Sequence, residues 1–262
     1  MRFKQLAAAA ALVAGSALGT AQAVPVALEL SLVIDVSGSI DANEYNLQAQ
    51  GYKNAFLDAT VQANIMSFAD GIAVNVIQFS DNAVQVINWT HLTDAASITA
   101  FANAIGAMAR SSSGGTDVED GMSLGINSFN NNGYEGARKV MDVSGDGEQN
   151  TDPACAFNAP NYNQACANVQ TQRNAAQAAG IRINGLAIEG AVPSVNAITN
   201  WYTANVITAG GSIYTATGFN TFETAVIAKI GQEIINVPEP GSLALVGLAL
   251  AGFGLASRRR QS

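Results

Sequence analysis

Apolar runs of strand length recur through this chain with stretches of helical spacing between them, and that alternation restricts the fold more than any other feature. Strands fit residues 28–35, 72–79, 83–89, 138–144, 181–188 and 212–216; helices fit 42–66, 94–109, 117–129, 164–179, 193–204 and 219–235. Runs of this kind belong to strands buried on both faces, and helices between them are the crossovers of a parallel sheet. Only Ser80-Asp81-Asn82 separates the second strand from the third, so these two form a hairpin and one strand runs antiparallel. Asp41 with Glu44 and Thr116 with Glu119 fit capping boxes at two helix starts. The expected fold is α/β: a doubly wound, mostly parallel sheet with one antiparallel strand and helices on both faces.

The two ends do not share this pattern. Residues 1–23 carry Arg2 and Lys4, an Ala/Leu-rich stretch from Leu6 to Leu18, and Ala21-Gln22-Ala23. That order is the signature of a secretory signal peptide with a small-x-small cleavage site, so Sec export and removal by signal peptidase are expected. At the other end, Val237-Pro238-Glu239-Pro240 precedes an apolar segment, Leu243 to Ala256, and then Arg258, Arg259 and Arg260. The apolar segment is shorter than the roughly 20 residues that an untilted spanning helix needs, although its basic flank suits a cytoplasmic tail. This arrangement resembles the PEP-CTERM sorting signal of Gram-negative bacteria. The resemblance implies processing by an exosortase-type enzyme, delivery to the cell surface or an exopolysaccharide matrix, and membrane contact only through residues 237–262. A simple membrane anchor is the plainer alternative. The folded domain is expected over residues 24–236.

Without the two ends, 7 basic residues face 19 acidic ones. A surface so negative repels nucleic acid and anionic lipid and suits cations. Cys155 and Cys166, the only cysteines, fall in one loop, and in an exported protein that pair is expected to form a disulfide. The loop between them follows the fourth strand closely and is expected on the same rim, where it would help select a partner.

In a doubly wound sheet, ligands bind in the crevice beyond the carboxyl ends of the strands. The first strand ends in Asp35-Val36-Ser37-Gly38-Ser39 and the fourth in Asp142-Val143-Ser144-Gly145-Asp146-Gly147, so two loops rich in carboxylates and hydroxyls converge there. A third segment, Ser111 to Asp120, brings Thr116 behind a glycine pair. These are oxygen donors with no His or Cys, which selects a hard cation: Mg²⁺ first, then Mn²⁺ or Ca²⁺.

The set D-x-S-x-S at Asp35, Ser37 and Ser39, the G-G-T ending at Thr116, and an aspartate after a later strand at Asp146 resembles the von Willebrand factor type A domain. In that family these positions form the metal-ion-dependent adhesion site. The resemblance implies hydroxyls from Ser37, Ser39 and Thr116, carboxylates from Asp35 and Asp146, and capture of an acidic group on a partner. One position departs from the family, which has Thr-Asp-Gly where this chain has Gly145-Asp146-Gly147. Asp142 is the alternative carboxylate, but it falls inside the strand.

Simpler readings exist for each residue. Ser37 and Ser39 could cap the first helix, and Thr116 the third; Asp117, Glu119 and Asp120 suit a helix N-terminus electrostatically. Gly121-Met122-Ser123-Leu124-Gly125 matches the nucleophile elbow of hydrolases, yet it sits inside a helical stretch, and the only histidine, His91, precedes Ser123. An EF-hand starting at Asp142 would need Glu where Pro153 stands. With these motifs set aside, the resemblance implies a noncatalytic role: an exported binding module that uses a divalent cation to capture an acidic protein or polysaccharide. The alternative is an envelope scaffold in which the metal is structural.

Overall fold

The computed structural model describes residues 22–155, 164–190 and 196–235. The expected signal peptide falls outside these residues except for Gln22 and Ala23, and the expected sorting segment falls wholly outside. The elements follow in the order β1 (Val24–Val26), β2 (Leu28–Asp35), α1 (Ala42–Leu57), α2 (Ala59–Met66), β3 (Ile72–Phe79), β4 (Ala83–Leu92), α3 (Ala95–Gly106), α4 (Val118–Ser128), β5 (Tyr134–Gly136), β6 (Lys139–Gly145), α5 (Ala167–Ala178), β7 (Ile181–Ile188), α6 (Ala197–Asn205), β8 (Ile213–Ala216) and α7 (Phe219–Ile235).

Six strands form one sheet in the order β4-β3-β2-β6-β7-β8. Only β3 and β4 are antiparallel; the other pairs are parallel. The expected α/β architecture is the observed one. Side chains alternate between the two faces of β2. Leu28, Leu30, Leu32 and Ile34 pack with Tyr52 and Phe56 of α1, Phe101 of α3 and Phe222 and Val226 of α7, whereas Val33 packs with Met122 of α4, Val169 of α5 and Trp201 of α6. The helix after β2 therefore covers one face and the helix after β6 the other. Where neighbouring strands send their chains to opposite faces, a crevice opens at their carboxyl ends.

Two features differ from expectation. The helix expected over residues 42–66 is two helices, because Asp58 has extended backbone and its carboxylate accepts from Thr60 N and Val61 N, ending α1 and capping α2. A two-stranded parallel sheet also pairs β1 with β5, Val24 opposite Tyr134. Three residues are too few to display a strand period.

The glycines of the hydrolase-like motif serve packing. Both lie within α4; a Cβ on Gly121 would stand 2.9 Å from the Phe79 ring, and one on Gly125 2.8 Å from Met141 Cε. The helix approaches the sheet closely only because both positions lack a side chain. Ser123 thus lies on a helix rather than on the strand-to-helix turn that a nucleophile elbow requires. Among the described residues no helix is long and apolar enough to cross a membrane.

Candidate metal centre

At the carboxyl end of β2 the chain must turn sharply toward α1, and Asp35 shapes that turn. Its Oδ1 accepts from Ser37 N at 2.8 Å, which aims the Ser37 hydroxyl along the rim, 3.2 Å from Ser39 Oγ. Ser39 Oγ then donates to Asp146 Oδ1 at 2.7 Å, joining the end of β2 to the end of β6. The third segment arrives through Gly38, whose amide donates to Gly114 O at 2.8 Å. Thr116 lies against the β6 end, since a Cβ on Gly147 would be 3.6 Å from its Oγ1. All five residues expected at the site are thus gathered on the crevice rim. Asp35, Ser37, Thr116 and Asp146 are buried, and Ser39 is exposed, giving the cluster one open side.

The simpler roles are occupied by other residues. The cap of α1 is Asp41, boxed with Glu44, so neither Ser37 nor Ser39 serves there. The expected box of Thr116 with Glu119 does not form: α4 is capped by Asp117, which accepts from Asp120 N at 3.1 Å. Asp117 wins because it stands one residue nearer the helix and its longer side chain reaches that amide. Asp142 is not at the rim. It lies within β6 on the face covered by α1 and α7, paired with Lys229.

The electrostatics suit a cation. Burial pushes the Asp35 carboxyl up to about 7, and the nearby Asp146 carboxylate adds to the rise. Asp146 is raised by burial as well, offset in part by the Ser39 hydroxyl, with Glu44 adding repulsion. Among the described residues no lysine or arginine forms an ion pair with either aspartate. Asp35 Oδ2 is buried without a hydrogen-bond partner, as is the Tyr202 hydroxyl. Two buried, mutually repelling carboxylates with an unpartnered oxygen form an arrangement that a divalent ion would relieve. Among the described residues no group of three or more His, Cys, Asp or Glu could hold a metal, so an ion here would rest on two carboxylates and three hydroxyls. That set is hard and oxygen-only.

Four supporting residues escaped the sequence reading. Arg110 donates from Nε and Nη2 to Val36 O, at 3.0 and 2.7 Å, and from Nη2 to Ser37 O at 2.6 Å, fixing the β2–α1 turn. It is the only lysine or arginine between Lys53 and Arg138 and stands just before the G-G-T segment, a signal that was available. Asn150 accepts from Thr116 N at 2.8 Å and donates to Thr116 Oγ1 at 3.3 Å, while Gln149 bridges Asp117 and Glu119 N. Tyr202 explains the departure at Gly145: a Cβ there would be 2.5 Å from the Tyr202 hydroxyl and 2.7 Å from Asp35 Oδ2. Beyond this loop, Cys155 and Cys166 are joined in a buried disulfide, and Cys166 N donates to Asn205 Oδ1. The span 156–163 between them lies outside the described residues, and with it the rim position expected for that loop.

Because Arg110 holds the turn through Val36 O and Ser37 O without an ion pair to either carboxylate, its loss should loosen the site and spare the core. Arg110→Ala is expected to weaken divalent-cation binding about 10- to 100-fold, the range for residues that orient ligands. Calorimetry checks this, with circular dichroism confirming an unchanged fold.

The profile described as "Protein of unknown function (DUF1194)" matches residues 25–238, and the PEP-CTERM protein-sorting motif matches residues 236–260. No curated protein matches the chain. Among solved structures, proximal thread matrix protein 1 from the mussel byssus is 18% identical with a TM-score of 0.56, covering 80% of this chain and 47% of its own. A second structure of that protein, with a zinc-occupied MIDAS motif, is 17% identical with a TM-score of 0.53, over 79% and 45%. The pilus adhesin SpaC from Lactobacillus rhamnosus GG, in an open conformation, is 16% identical with a TM-score of 0.54, over 79% and 30%. A von Willebrand factor type A protein from Catenulispora acidiphila is 14% identical with a TM-score of 0.52, over 79% and 42%. The chain spans less than half the length of each of these structures, and at such identities the likeness is one of fold.

Proposed function

The chain belongs to the DUF1194 family and carries a PEP-CTERM sorting motif, and from its von Willebrand factor A-like fold we propose that it is an exported, noncatalytic binding module of the bacterial cell surface. Export would use the Sec route with signal-peptidase cleavage after residue 23, and an exosortase-type enzyme would process residues 237–262. The destination would be the surface or exopolysaccharide matrix of a Gram-negative cell.

The observation that carries the binding role is the pair of buried carboxylates, Asp35 and Asp146, which form no ion pair among the described residues, with Arg110 offsetting Asp146 only at a distance, and which sit beside three hydroxyls. Ser37, Ser39 and Thr116 would offer hydroxyl oxygens and Asp35 and Asp146 carboxylates to Mg²⁺, with Mn²⁺ or Ca²⁺ as substitutes. A divalent ion touched by the neutral hydroxyls, with the carboxylates acting partly through bound water, would keep part of its charge uncompensated and open to an acidic group from outside. Exposed Ser39 marks the side from which a partner's carboxylate would approach. Fold relatives that include a pilus adhesin, and a byssal matrix protein solved with a zinc-occupied MIDAS motif, support an adhesive role.

Capture tests this reading. The protein on beads, incubated with native envelope and matrix material, should retain an acidic protein or polysaccharide in Mg²⁺ and release it in chelator with its circular dichroism unchanged. Retention that is indifferent to chelator would contradict it. Unfolding on chelation would favour a scaffold in which the metal is structural.

A further inference from the structure

On the α1/α7 face of the sheet, remote from the rim, three titratable side chains meet in the core. Lys229 of α7 and Asp142 of β6 are both fully buried, and Glu233, one helical turn beyond Lys229, is 4% exposed. Lys229 Nζ is in direct contact with Asp142 Oδ1 and lies 2.8 Å from Glu233 Oε1. Asn184, opposite Asp142 on β7, donates from Nδ2 to Glu233 Oε1 at 2.8 Å and holds that carboxylate beside the amine.

An ion triad kept in this state would be expected to satisfy its remaining oxygens, because a buried charge short of donors is costly. Asp142 Oδ2 and Glu233 Oε2 are buried without any hydrogen-bond partner. Asp142 is poorly solvated as an anion and well placed as an electrophile, with an amine against it and a second carboxylate against the amine. We propose that Lys229 and Asp142 join in an intramolecular amide bond, with Glu233 as the proton carrier. The inference does not depend on the metal site.

The protons balance within the triad. Burial pushes the Asp142 carboxyl up to about 7, against the pull of Lys229, so the acid form is accessible at neutral pH. Burial alone would lower Lys229, but Asp142 and Glu233 outweigh it and hold it as an ammonium, so a base must take a proton before the nitrogen can attack. Glu233 takes that proton. Nζ then attacks Cγ of Asp142, the new N–C bond forms, and the Cγ–OH bond breaks. The hydroxyl leaves as water with the second proton from nitrogen, and Glu233 keeps the first. The starting state holds a buried ammonium and carboxylate; the product holds an amide and a neutral acid. Removing two buried charges favours the product. A cavity of about 10 Å³ on the Glu233 side of the triad, lined in part by Asn184 and Tyr214, has room for about one water. The bond would tie α7 to the centre of the sheet.

Mass spectrometry of the purified, reduced full chain decides the matter. The expected result is a mass lighter by one water than the sequence of the isolated form, and a branched peptide after proteolysis that joins the segments containing Asp142 and Lys229. Full sequence mass with separate, unlinked peptides would overturn the proposal. Glu233→Gln keeps the side-chain volume and should slow bond formation at least about a hundredfold, the scale of lost proton transfer; cross-linking at the wild-type rate would remove Glu233 from the reaction. Asp142→Ala should show no water loss, and water loss persisting in that variant would place the event elsewhere.

Discussion

Replacing Asp35 with alanine is expected to abolish divalent-cation binding in calorimetry and to leave the circular dichroism of the α/β domain intact. Asp35 is expected to have this effect because it acts twice. It brings one of only two carboxylates to the cluster, and its Oδ1 holds Ser37 N at 2.8 Å, so its loss also frees the turn that presents both serine hydroxyls. Affinity in such sites falls steeply as anionic ligands are removed, and a drop of at least about two orders of magnitude is expected. The fold should survive because Asp35 ends its strand, and the apolar packing of β2 lies in Leu28, Leu30, Leu32, Val33 and Ile34. Undiminished cation affinity in the variant would remove Asp35 from the site.

The second large effect is on stability without metal. Asp35 sits at about 7 in the folded protein against an ordinary 3.8, chiefly from burial and then from Asp146. Between those pH values the folded state holds a proton that the unfolded chain has released. Stability is therefore fully present below about pH 4 and is lost as pH rises through about 7, by at most about 4 kcal/mol. In chelator, thermal or urea unfolding should show this decline, and saturating Mg²⁺ should reverse most of it near neutral pH by binding only the folded state. Asp35→Asn, which cannot ionise, should flatten the part of the slope due to the site; Asp142, if its carboxyl remains free, titrates in the same range and accounts for the remainder. A metal-free wild type whose stability rises from pH 4 to 7 would contradict the electrostatic account.

Much of the architecture was legible because the signals were long. Eight-residue apolar strands such as Leu28–Asp35 and Ile72–Phe79 show their burial outright, and a three-residue hairpin turn fixes the antiparallel pair. The meeting of Asp35, Ser37, Ser39, Thr116 and Asp146 followed from the strand order, since β2 and β6 are neighbours whose helices go to opposite faces. What escaped was set by contacts distant in sequence. Arg110 touches carbonyls more than seventy positions away, and Tyr202 explains a glycine at 145 through a clash that no local pattern displays. Choosing Asp117 over Thr116 as cap depends on which oxygen reaches one amide, a matter of geometry. Lys229 left a trace: it falls on the stripe of Phe222, Val226 and Glu233, where a helix facing a core should be apolar. A charge on that stripe announces a buried partner, although only the fold identifies it as Asp142.

The central claim is that oxygens from the ends of β2 and β6 and from the segment before α4 hold one divalent cation. A crystal of the protein grown with Mn²⁺ tests it most directly, through the anomalous signal of the metal. The account predicts a single strong peak among Ser37, Ser39, Thr116 and Asp146, lost in Asp35→Ala crystals. A peak elsewhere, or none at saturating Mn²⁺, would contradict it.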